Sequence, residues 1–412
     1  MTLHPTTIDE IDFWDLDMFV SGDPHAAWRI LREEAPVWWH DRPGGEPFWA
    51  VTRYDDARAV LGDPFRFSST PGIKVRTDRE LGYASTMAQD FQPIIHTDPP
   101  RHREVRKLVS HRFTPRAIAE LETQIRSYAR RCMEEAAEKQ DIDFVTDIAH
   151  RIPAAIALSL LGVAEEHWDR LAELEHATVT SEDPEFTHGD QMSAVIEASM
   201  EIRAFFTALV EQHVAEPGDD ILSEFLKGRI EGEQLPPGQV VAEAGLLLAG
   251  GLDTTRAAAS AGGIVPLLRY PDQLEALMAD PSLLPVAVEE FVRWATPVVS
   301  ETRTAMEDTE LGGQQLHKGE RVVVWTASAN RDESVFAEPF RFDVTRSPNR
   351  HLGFAYGEHF CLGVHLARLT LLVEFSELFA RFKGFELTGA PVRVRSNFVG
   401  GLKHLPMRVV PR

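Results

Sequence analysis

One loop of the chain brings together residue types that bind metal ions. Residues 351–368 read HLGFAYGEHFCLGVHLAR, so Cys361 follows a glycine-containing turn and directly precedes an amphipathic helical pattern. A thiolate near a helix N-terminus is stabilised by the helix dipole and by free backbone N–H groups, and we expect the pKa of Cys361 to be lowered. Gly357 and Gly363 let the backbone approach a flat ligand, and His359 can donate a hydrogen bond.

Four interpretations of Cys361 are open at this point. A lone cysteine is most often a buried and chemically inert residue. Zinc bound by His359, Cys361 and His365 is the second interpretation, although the neighbouring sequence supplies no fourth ligand. A nucleophilic cysteine is the third, and an axial ligand of haem iron, which needs one thiolate only, is the fourth. The chain has two cysteines, which excludes a four-cysteine metal site, and we expect Cys132 to be a core residue.

A second group of reactive residues lies within a helix predicted over residues 239–268. Residues 249–255 read AGGLDTT. Each of the two glycines costs about 1 kcal/mol in a helix relative to alanine. This cost indicates either that a ligand approaches the backbone at Gly250 or that another helix packs closely there. Asp253 and Thr254 follow, and an acid beside an alcohol can relay protons.

Two pairs of charged residues have spacings that place each pair on one helix face. His102 and Arg106 are four residues apart in the predicted helix 101–112, so together they can bind the two carboxylates of one ligand. Glu290 and Arg293 are three residues apart. Taken alone, the second pair is typical of an ordinary surface ion pair.

Together these motifs resemble those of cytochrome P-450 monooxygenases. The run Phe354-x-x-Gly357-x-His359-x-Cys361-x-Gly363 is similar to the haem-binding signature of that family, with Ala355 in the place of a usual glycine. The resemblance implies a mainly α, single-domain fold with small β-sheets over residues 1–412. It also implies haem b with Cys361 as the axial thiolate ligand, and O2 as co-substrate.

By the same resemblance, each motif has an expected role. Asp253 and Thr254 supply protons for the activation of dioxygen, beside an oxygen-binding groove in the central helix. Glu290, Arg293 and Arg346 form a buried ion network that fixes the cysteine loop. The residues expected to bind the cofactor are His102, Arg106, Ala249, Gly250, Arg303, Phe354, Gly357, His359 and Gly363. Four of them are expected to bind the haem propionates: His102, Arg106, Arg303 and His359.

The rest of the chain must position these residues, and its composition is typical of a soluble globular protein. The 412 residues carry a formal net charge of −22, which disfavours nucleic-acid binding. The most apolar segment, 244–268, contains two charged residues, and the acidic N-terminus does not resemble a signal peptide. We therefore expect a soluble, cytoplasmic monomer without a membrane anchor. Apolar spacing predicts helices over 101–112, 115–138, 195–215, 239–268, 283–294 and 363–383, and strands over 48–52, 321–325 and 405–410, with a smaller β-containing region near the N-terminus.

The expected activity is insertion of one oxygen atom of O2 into an apolar small molecule such as a steroid, terpenoid, polyketide or fatty acid. Electrons would come from an external ferredoxin and an NAD(P)H-dependent ferredoxin reductase. The basic residues of segment 101–116 would attract the acidic surface of this electron donor. A peroxide-driven haem-thiolate enzyme and a non-catalytic haem sensor are the alternatives. The residues expected to line the substrate pocket are Leu246, Ala249, Val298, Val299 and Phe398, with segments 70–95 and 175–195 as its lid. Residues 181–185 and 296–298 are similar to those of steroid- and terpenoid-oxidising members.

Overall fold

Helices make up most of the structure, a computed structural model that describes residues 4–82, 91–186 and 191–412. Short 3-10 and π-helical segments connect or extend several of them. The helices are α1 (Asp17–Val20), α2 (Pro24–Glu34), α3 (Tyr54–Gly62), α4 (Asp78–Gly82), α5 (Arg101–Val109), α6 (Pro115–Ala119), α7 (Glu122–Lys139), α8 (Arg151–Leu160), α9 (Trp168–Val179), α10 (Gln191–Ala215), α11 (Ile221–Lys227), α12 (Pro237–Ala257), α13 (Val265–Arg269), α14 (Pro271–Ala279), α15 (Leu284–Ala295), α16 (Thr326–Ala329) and α17 (Val364–Arg381).

The strands form small sheets at the edges of this helical body. They are β1 (Val37–His40), β2 (Phe48–Val51), β3 (Phe67–Ser68), β4 (Asp141–Asp143), β5 (Arg229–Ile230), β6 (Glu233–Gln234), β7 (Glu301–Ala305), β8 (Thr309–Leu311), β9 (Gln314–Leu316), β10 (Arg321–Val324), β11 (Phe382–Leu387), β12 (Val392–Arg393), β13 (Leu402–His404) and β14 (Pro406–Pro411). The largest sheet has the order β1-β2-β10-β7-β3. β10 pairs in parallel with β2, and the other pairs in this sheet are antiparallel. The β-rich region is therefore not built from the N-terminus alone, because β7 and β10 complete its sheet.

The mainly helical fold predicted from the sequence is confirmed, with local differences. The predicted helix 115–138 is two helices, α6 and α7, and the predicted helix 239–268 changes to a π-helical turn over Ala258–Ile264 before α13 begins. The three predicted strands correspond to β2, β10 and β14. None of the described helices combines the length and the apolar character needed to cross a lipid bilayer.

The long helix α12 lies at the centre of the fold. It packs against α8, α9, α10, α11 and α17. Leu248 and Leu252 join one large apolar cluster, whereas Ala258 and Ile264 just beyond the helix join a second one. A helix surrounded by packed neighbours is expected to be apolar on most faces, so the polar residues within α12 call for a local explanation.

Candidate functional site

A cavity of about 380 Å³ lies between α12 and the N-terminal end of α17. Its walls come from α5, α12, α17, the segments 297–303 and 353–363, and residues 398–399. The volume is within the range of small-molecule binding sites. Apolar side chains form most of the lining, and the charged or ionisable groups apart from Cys361 are His102, Arg106, Glu301, Arg303 and His359.

Cys361 lines this cavity and is held there by its own loop. Its backbone N–H donates a hydrogen bond to the Phe354 carbonyl oxygen at 2.9 Å. Gly357 has a φ of 74°, and a Cβ there would lie 2.6 Å from the Leu61 carbonyl oxygen, so this turn requires glycine. Ala355 has a φ of 60°, which is also left-handed. That conformation explains why glycine is the usual residue at this place in the motif.

The protonation of Cys361 differs from the sequence expectation. Burial raises the pKa of its thiol and outweighs the backbone hydrogen bond from Gly363 and the positive charge of Arg106. The N–H at the helix N-terminus does lower the pKa of Cys361, as expected, but the expected net lowering is wrong, because desolvation of the thiolate is the larger effect at this position. A bound metal ion supplies the charge that deprotonates such a thiol. Cys132 is buried in the apolar core, as predicted, and burial raises the pKa of its thiol to about 11.

Four side chains with basic nitrogens meet along the cavity, and we call them the cationic group after the two arginines among them: His102, Arg106, Arg303 and His359. The two imidazole centroids are 4.3 Å apart. Burial, helped by the charges of the neighbouring arginines, lowers the pKa of His102 to about 4 and that of His359 to about 3. Within the described residues, His102 Nδ1 is buried without a hydrogen-bond partner. Such an orphaned atom indicates that a polar ligand completes the group.

The two glycines of α12 have different surroundings. A Cβ at Gly250 would meet no described atom within 4 Å, because this residue faces the open cavity. A Cβ at Gly251 would lie 2.8 Å from the Ala157 Cβ, because α8 packs closely there. Gly250 therefore leaves room for a ligand, and Gly251 allows close packing between helices. Thr254 lines the cavity one turn later and donates its hydroxyl hydrogen to the Gly250 carbonyl oxygen at 2.9 Å.

Asp253 does not line the cavity. Its side chain is fully buried, with Oδ1 at 3.0 Å from Arg256 Nη2 and 2.9 Å from His176 Nδ1. Burial alone would raise the pKa of Asp253, but the charges of Arg256 and His176 dominate and lower it. Adjacent residues of a helix point about 100° apart, so Thr254 faces the cavity while Asp253 faces α9.

Another part of the cavity lining is apolar. Leu246, Ala249, Val298 and Phe398 line the cavity as expected from the sequence. Val299 does not, and that expectation is wrong. Side chains of extended backbone alternate in direction, so Val299 packs into the apolar cluster beneath the large sheet, and Val399 takes its place in the lining. Of the predicted lid segments, residues 73, 94, 95 and 179 reach the cavity, and residues 83–90 and 187–190 lie outside the described residues.

Comparison with known proteins identifies the family. The family model for cytochrome P450 matches residues 184–400. The chain is 38% identical to a putative cytochrome P450 126 of Mycobacterium tuberculosis over 96% of both chains. It is 37% identical to the linalool 8-monooxygenase of Pseudomonas putida, over 97% of this chain and 99% of that one. The chain belongs to the cytochrome P450 family. The structure of the Mycobacterium marinum P450 CYP268A2 in complex with pseudoionone superposes with a TM-score of 0.89 at 35% identity, over 98% of this chain and 99% of that one.

This P450 is a haem-dependent monooxygenase, and its cavity fits the cofactor. Cys361 is the cysteine that reaches the cavity, and Gly250 leaves open space on the facing wall. The cationic group supplies donors for two propionates, including the orphaned Nδ1 of His102. The zinc interpretation fails, because His359 and His365 do not join Cys361 in a compact set of three ligand atoms within the described part of the chain.

The three residues of the expected ion network are in contact. Glu290 accepts hydrogen bonds from Arg293 Nε and Nη2 at 2.7 Å each, and Arg346 Nε lies 3.2 Å from it. Arg293 Nη1 donates to the Asn330 carbonyl oxygen, and Asn330 Oδ1 accepts from the Leu352 N–H. These bonds connect α15 to the loop that carries Cys361.

Sequence reasoning missed one ionisable residue of the cavity. Glu301 faces the cationic group and lies 3.2 Å from Arg303 Nη2. Burial raises its pKa, and the charge of Arg303 opposes that rise. Glu301 could have been predicted to face the same side as Arg303, because it lies two residues earlier in β7 and alternate residues of a strand share a face.

Proposed function

We propose that this P450 oxidises a flexible apolar molecule of the acyclic terpenoid class. The observation that carries the proposal is the composition of the apolar part of the cavity wall. In the described residues this wall holds Leu246, Leu247, Val298 and Phe398, and Thr254 of α12 also lines the cavity. A wall of this kind gives affinity through burial of apolar surface, and it offers no cation to a free carboxylate.

Two of the similar proteins support the same substrate class, whereas others are named as a methyl-branched lipid omega-hydroxylase, at 35% identity, and a steroid C26-monooxygenase, at 33% identity. Linalool and pseudoionone, named for two of the similar proteins, are both acyclic terpenoids. When bound, the haem supplies the chemistry that activates O2 and inserts one oxygen atom into a C–H bond. The protein then has to hold the apolar substrate against the open side of Gly250, exclude water and deliver protons.

Proton delivery is proposed for Thr254 and Asp253. The Thr254 hydroxyl faces the cavity while it hydrogen-bonds to the Gly250 carbonyl, so it can pass a proton at Oγ1 without leaving the helix surface. Asp253 precedes Thr254 in the relay: its carboxylate must give up a contact with His176 or Arg256 and take up a proton from solvent, and the resulting carboxylic acid can then pass that proton to Thr254 Oγ1.

The test of this relay compares Thr254→Ala with Thr254→Ser. We expect the alanine variant to bind haem normally but to form less product for each NADH consumed, with the remaining electrons appearing as hydrogen peroxide. The serine variant keeps a hydroxyl and is expected to stay close to the wild-type coupling. Full coupling in Thr254→Ala contradicts the relay, and wild-type activity with peroxide alone favours the peroxide-driven alternative.

The substrate class is tested by titration of the ferric protein. Linalool and pseudoionone are expected to shift the haem spectrum from low to high spin, whereas a free fatty acid of similar carbon number is expected to shift it at far higher concentration. Equal affinity for the fatty acid contradicts the proposal, because the described wall provides no partner for its carboxylate.

An acidic ferredoxin is the proposed electron donor. Arg103 and Lys107 on α5 are exposed beside Phe360, which is itself 40% exposed and next to Cys361. Glu358 offsets part of the charge of Arg103 by an ion pair. Lys107→Glu should slow reduction by a ferredoxin at low ionic strength, and salt should reduce the difference. The control is Lys383→Glu, because Lys383 is exposed in β11, just after α17, and the 18 residues of α17 span about 27 Å from the end beside Cys361. Equal effects of both substitutions contradict docking at α5.

A further inference from the structure

A cluster of polar side chains is buried behind α12, on the side away from Cys361. It comprises His150 before α8, Glu175 and His176 of α9, and Asp253 and Arg256 of α12, and we call it the α9–α12 cluster. Glu175, Asp253 and Arg256 are each at most 2% exposed. The relay proposed above uses Asp253 only, so the other members have no assigned role.

The geometry of the α9–α12 cluster is that of an incomplete metal site. One nitrogen from each of His150 and His176 and one oxygen from Asp253 lie within 4.8 Å of one another. His176 Nδ1 is 2.9 Å from Asp253 Oδ1 and 3.3 Å from Glu175 Oε2. The rings of His150 and His176 are 4.6 Å apart at their centroids. Ligand atoms around one tetrahedral zinc ion are about 3.3 Å apart, so small side-chain rotations bring these three into range.

A second observation points independently to a ligand. Among the described residues, His150 Nδ1 and both carboxylate oxygens of Asp253 and of Glu175 are inaccessible and have no well-formed hydrogen bond. Asp253 Oδ1 lies at ion-pair distance from His176 Nδ1 and Arg256 Nη2, and Glu175 Oε2 lies 3.3 Å from His176 Nδ1, but none of these contacts has hydrogen-bond geometry. Buried polar atoms that remain unsatisfied destabilise the folded protein. A bound cation would satisfy several of them at once.

The charges of the cluster suit a dication once the ion has displaced the protons held in its absence. Burial lowers, but Asp253 and Glu175 raise, the pKa of His176 to about 9, and burial raises the pKa of Glu175 to about 8, so binding of the ion releases protons. Asp253 and Glu175 can contribute two negative charges, and Arg256 contributes one positive charge at 3.0 Å from Asp253 Oδ1. With both imidazoles neutral the cluster carries one net negative charge. The guanidinium can remain on one carboxylate oxygen of Asp253 while the other oxygen binds the metal ion.

We propose that His150, His176 and Asp253 bind a transition-metal dication of the Zn²⁺ class, and that this ion inhibits turnover. Two imidazole nitrogens and one carboxylate oxygen are ligands that Zn²⁺ prefers, with a water molecule in the fourth position. Glu175 adds negative charge beside His176. The inhibition rests on the proposed function, because a metal ion on Asp253 removes that carboxylate from the proton relay.

Binding is tested on the ferric holoenzyme without an affinity tag, in the absence of any redox partner. Titration calorimetry with ZnCl₂ after treatment with a chelator is expected to give one site per chain. The zinc K-edge does not overlap the iron edge, so its fine structure reports the ligands of the added zinc, and it is expected to show imidazole scattering. No binding by the wild type, or a zinc shell without imidazole, overturns the site.

Variants locate the ion within the chain. His150→Gln and His176→Gln are each expected to weaken zinc binding by at least about tenfold, since loss of even an outer-shell partner typically costs 10–100-fold. His404→Gln is the control, because His404 lies between Asp143 at 2.7 Å and Glu185 at 2.5 Å but outside the cluster. Loss of binding in His404→Gln, or full binding in His150→Gln, overturns the assignment. His150 lies outside the relay, so His150→Gln is expected to retain turnover without zinc.

Inhibition is a separate measurement. Zinc is expected to lower product formation by the wild type and to leave His150→Gln unaffected at the same concentration. Inhibition of equal strength in both proteins contradicts inhibition through this site. If Thr254→Ala is fully coupled while zinc still binds at the histidines, the relay fails and the metal site stands, so the two proposals can be separated.

Discussion

Replacement of Glu290 by glutamine isolates the contribution of one buried charge. Glu290 and Arg293 are both fully buried, and the carboxylate also accepts hydrogen bonds from the Asp343 N–H at 3.0 Å and the Asn349 amide at 3.1 Å. Glutamine keeps the shape of the side chain but removes its charge and presents an amide to at least one donor. Arg293 is then a buried cation without a counter-ion.

The magnitude follows from the burial. Removing one partner of a buried ion pair costs about 3–5 kcal/mol. The unfolding entropy of globular proteins is about 2.1 cal/mol/K per residue, which for 412 residues gives about 0.9 kcal/mol/K. The Tm of Glu290→Gln is therefore expected to fall by about 3–6 °C. Because Asn330 connects this network to the cysteine loop, the fraction of reduced protein with an intact thiolate–iron bond should fall as well.

The neighbouring Glu289 provides a matched control on the same helix. It accepts two hydrogen bonds of 2.7 Å from Arg368, but its side chain is 23% exposed and that of Arg368 is 37% exposed. Solvent screening weakens such a pair relative to the fully buried one, so Glu289→Gln should lower Tm by less than Glu290→Gln does. The assay is calorimetry of both holoenzymes at one scan rate, with a carbon monoxide difference spectrum of each. Equal losses in the two variants, or an unchanged Tm in Glu290→Gln, refute the assignment of the network to buried electrostatics.

Three further predictions use other parts of the fold. Gly250→Ala should raise Tm slightly, since alanine gains about 1 kcal/mol in a helix, while weakening substrate binding in the spin-shift titration; Gly251→Ala should lower Tm through its contact with Ala157, and the reverse order contradicts the two assignments. Cys132 should resist iodoacetamide at neutral pH until the protein unfolds, because the pKa of its buried thiol is about 11; mass spectrometry of the native protein checks this, and rapid labelling contradicts it. Burial alone would raise the pKa of Glu289, but His351 and Arg368 lower it from 4.5 to about 2. The stability that Glu289 contributes is therefore full above pH 4.5 and is lost as the pH falls towards 2, so the Tm difference between wild type and Glu289→Gln should close over that range; a difference that widens has the wrong sign.

Local patterns in the sequence determined much of the chemistry. The spacing of Phe354, Gly357, His359, Cys361 and Gly363 specifies a turn and a helix start, and turns of this kind depend on a few adjacent residues. The presence of the long helices and of the strands β2, β10 and β14 was also predictable, because apolar periodicity is a local property, whereas some helix ends were not. The spacing of Glu290 and Arg293 predicted an ion pair on one helix face, but only the resemblance to the family motif indicated that this pair is buried.

Tertiary structure decided how each of these groups is solvated and which way it points. Cys361 was expected to ionise easily, yet its burial between elements far apart in the sequence raises its pKa. Asp253 was assigned beside Thr254 by adjacency, but α9 brings His176 to it and holds it away from the cavity. His150, His176 and Asp253 are separated by 26 and 77 residues, so no local pattern could join them. Desolvation and long-range contacts depend on packing between distant elements, and these are the quantities that a local sequence pattern does not contain.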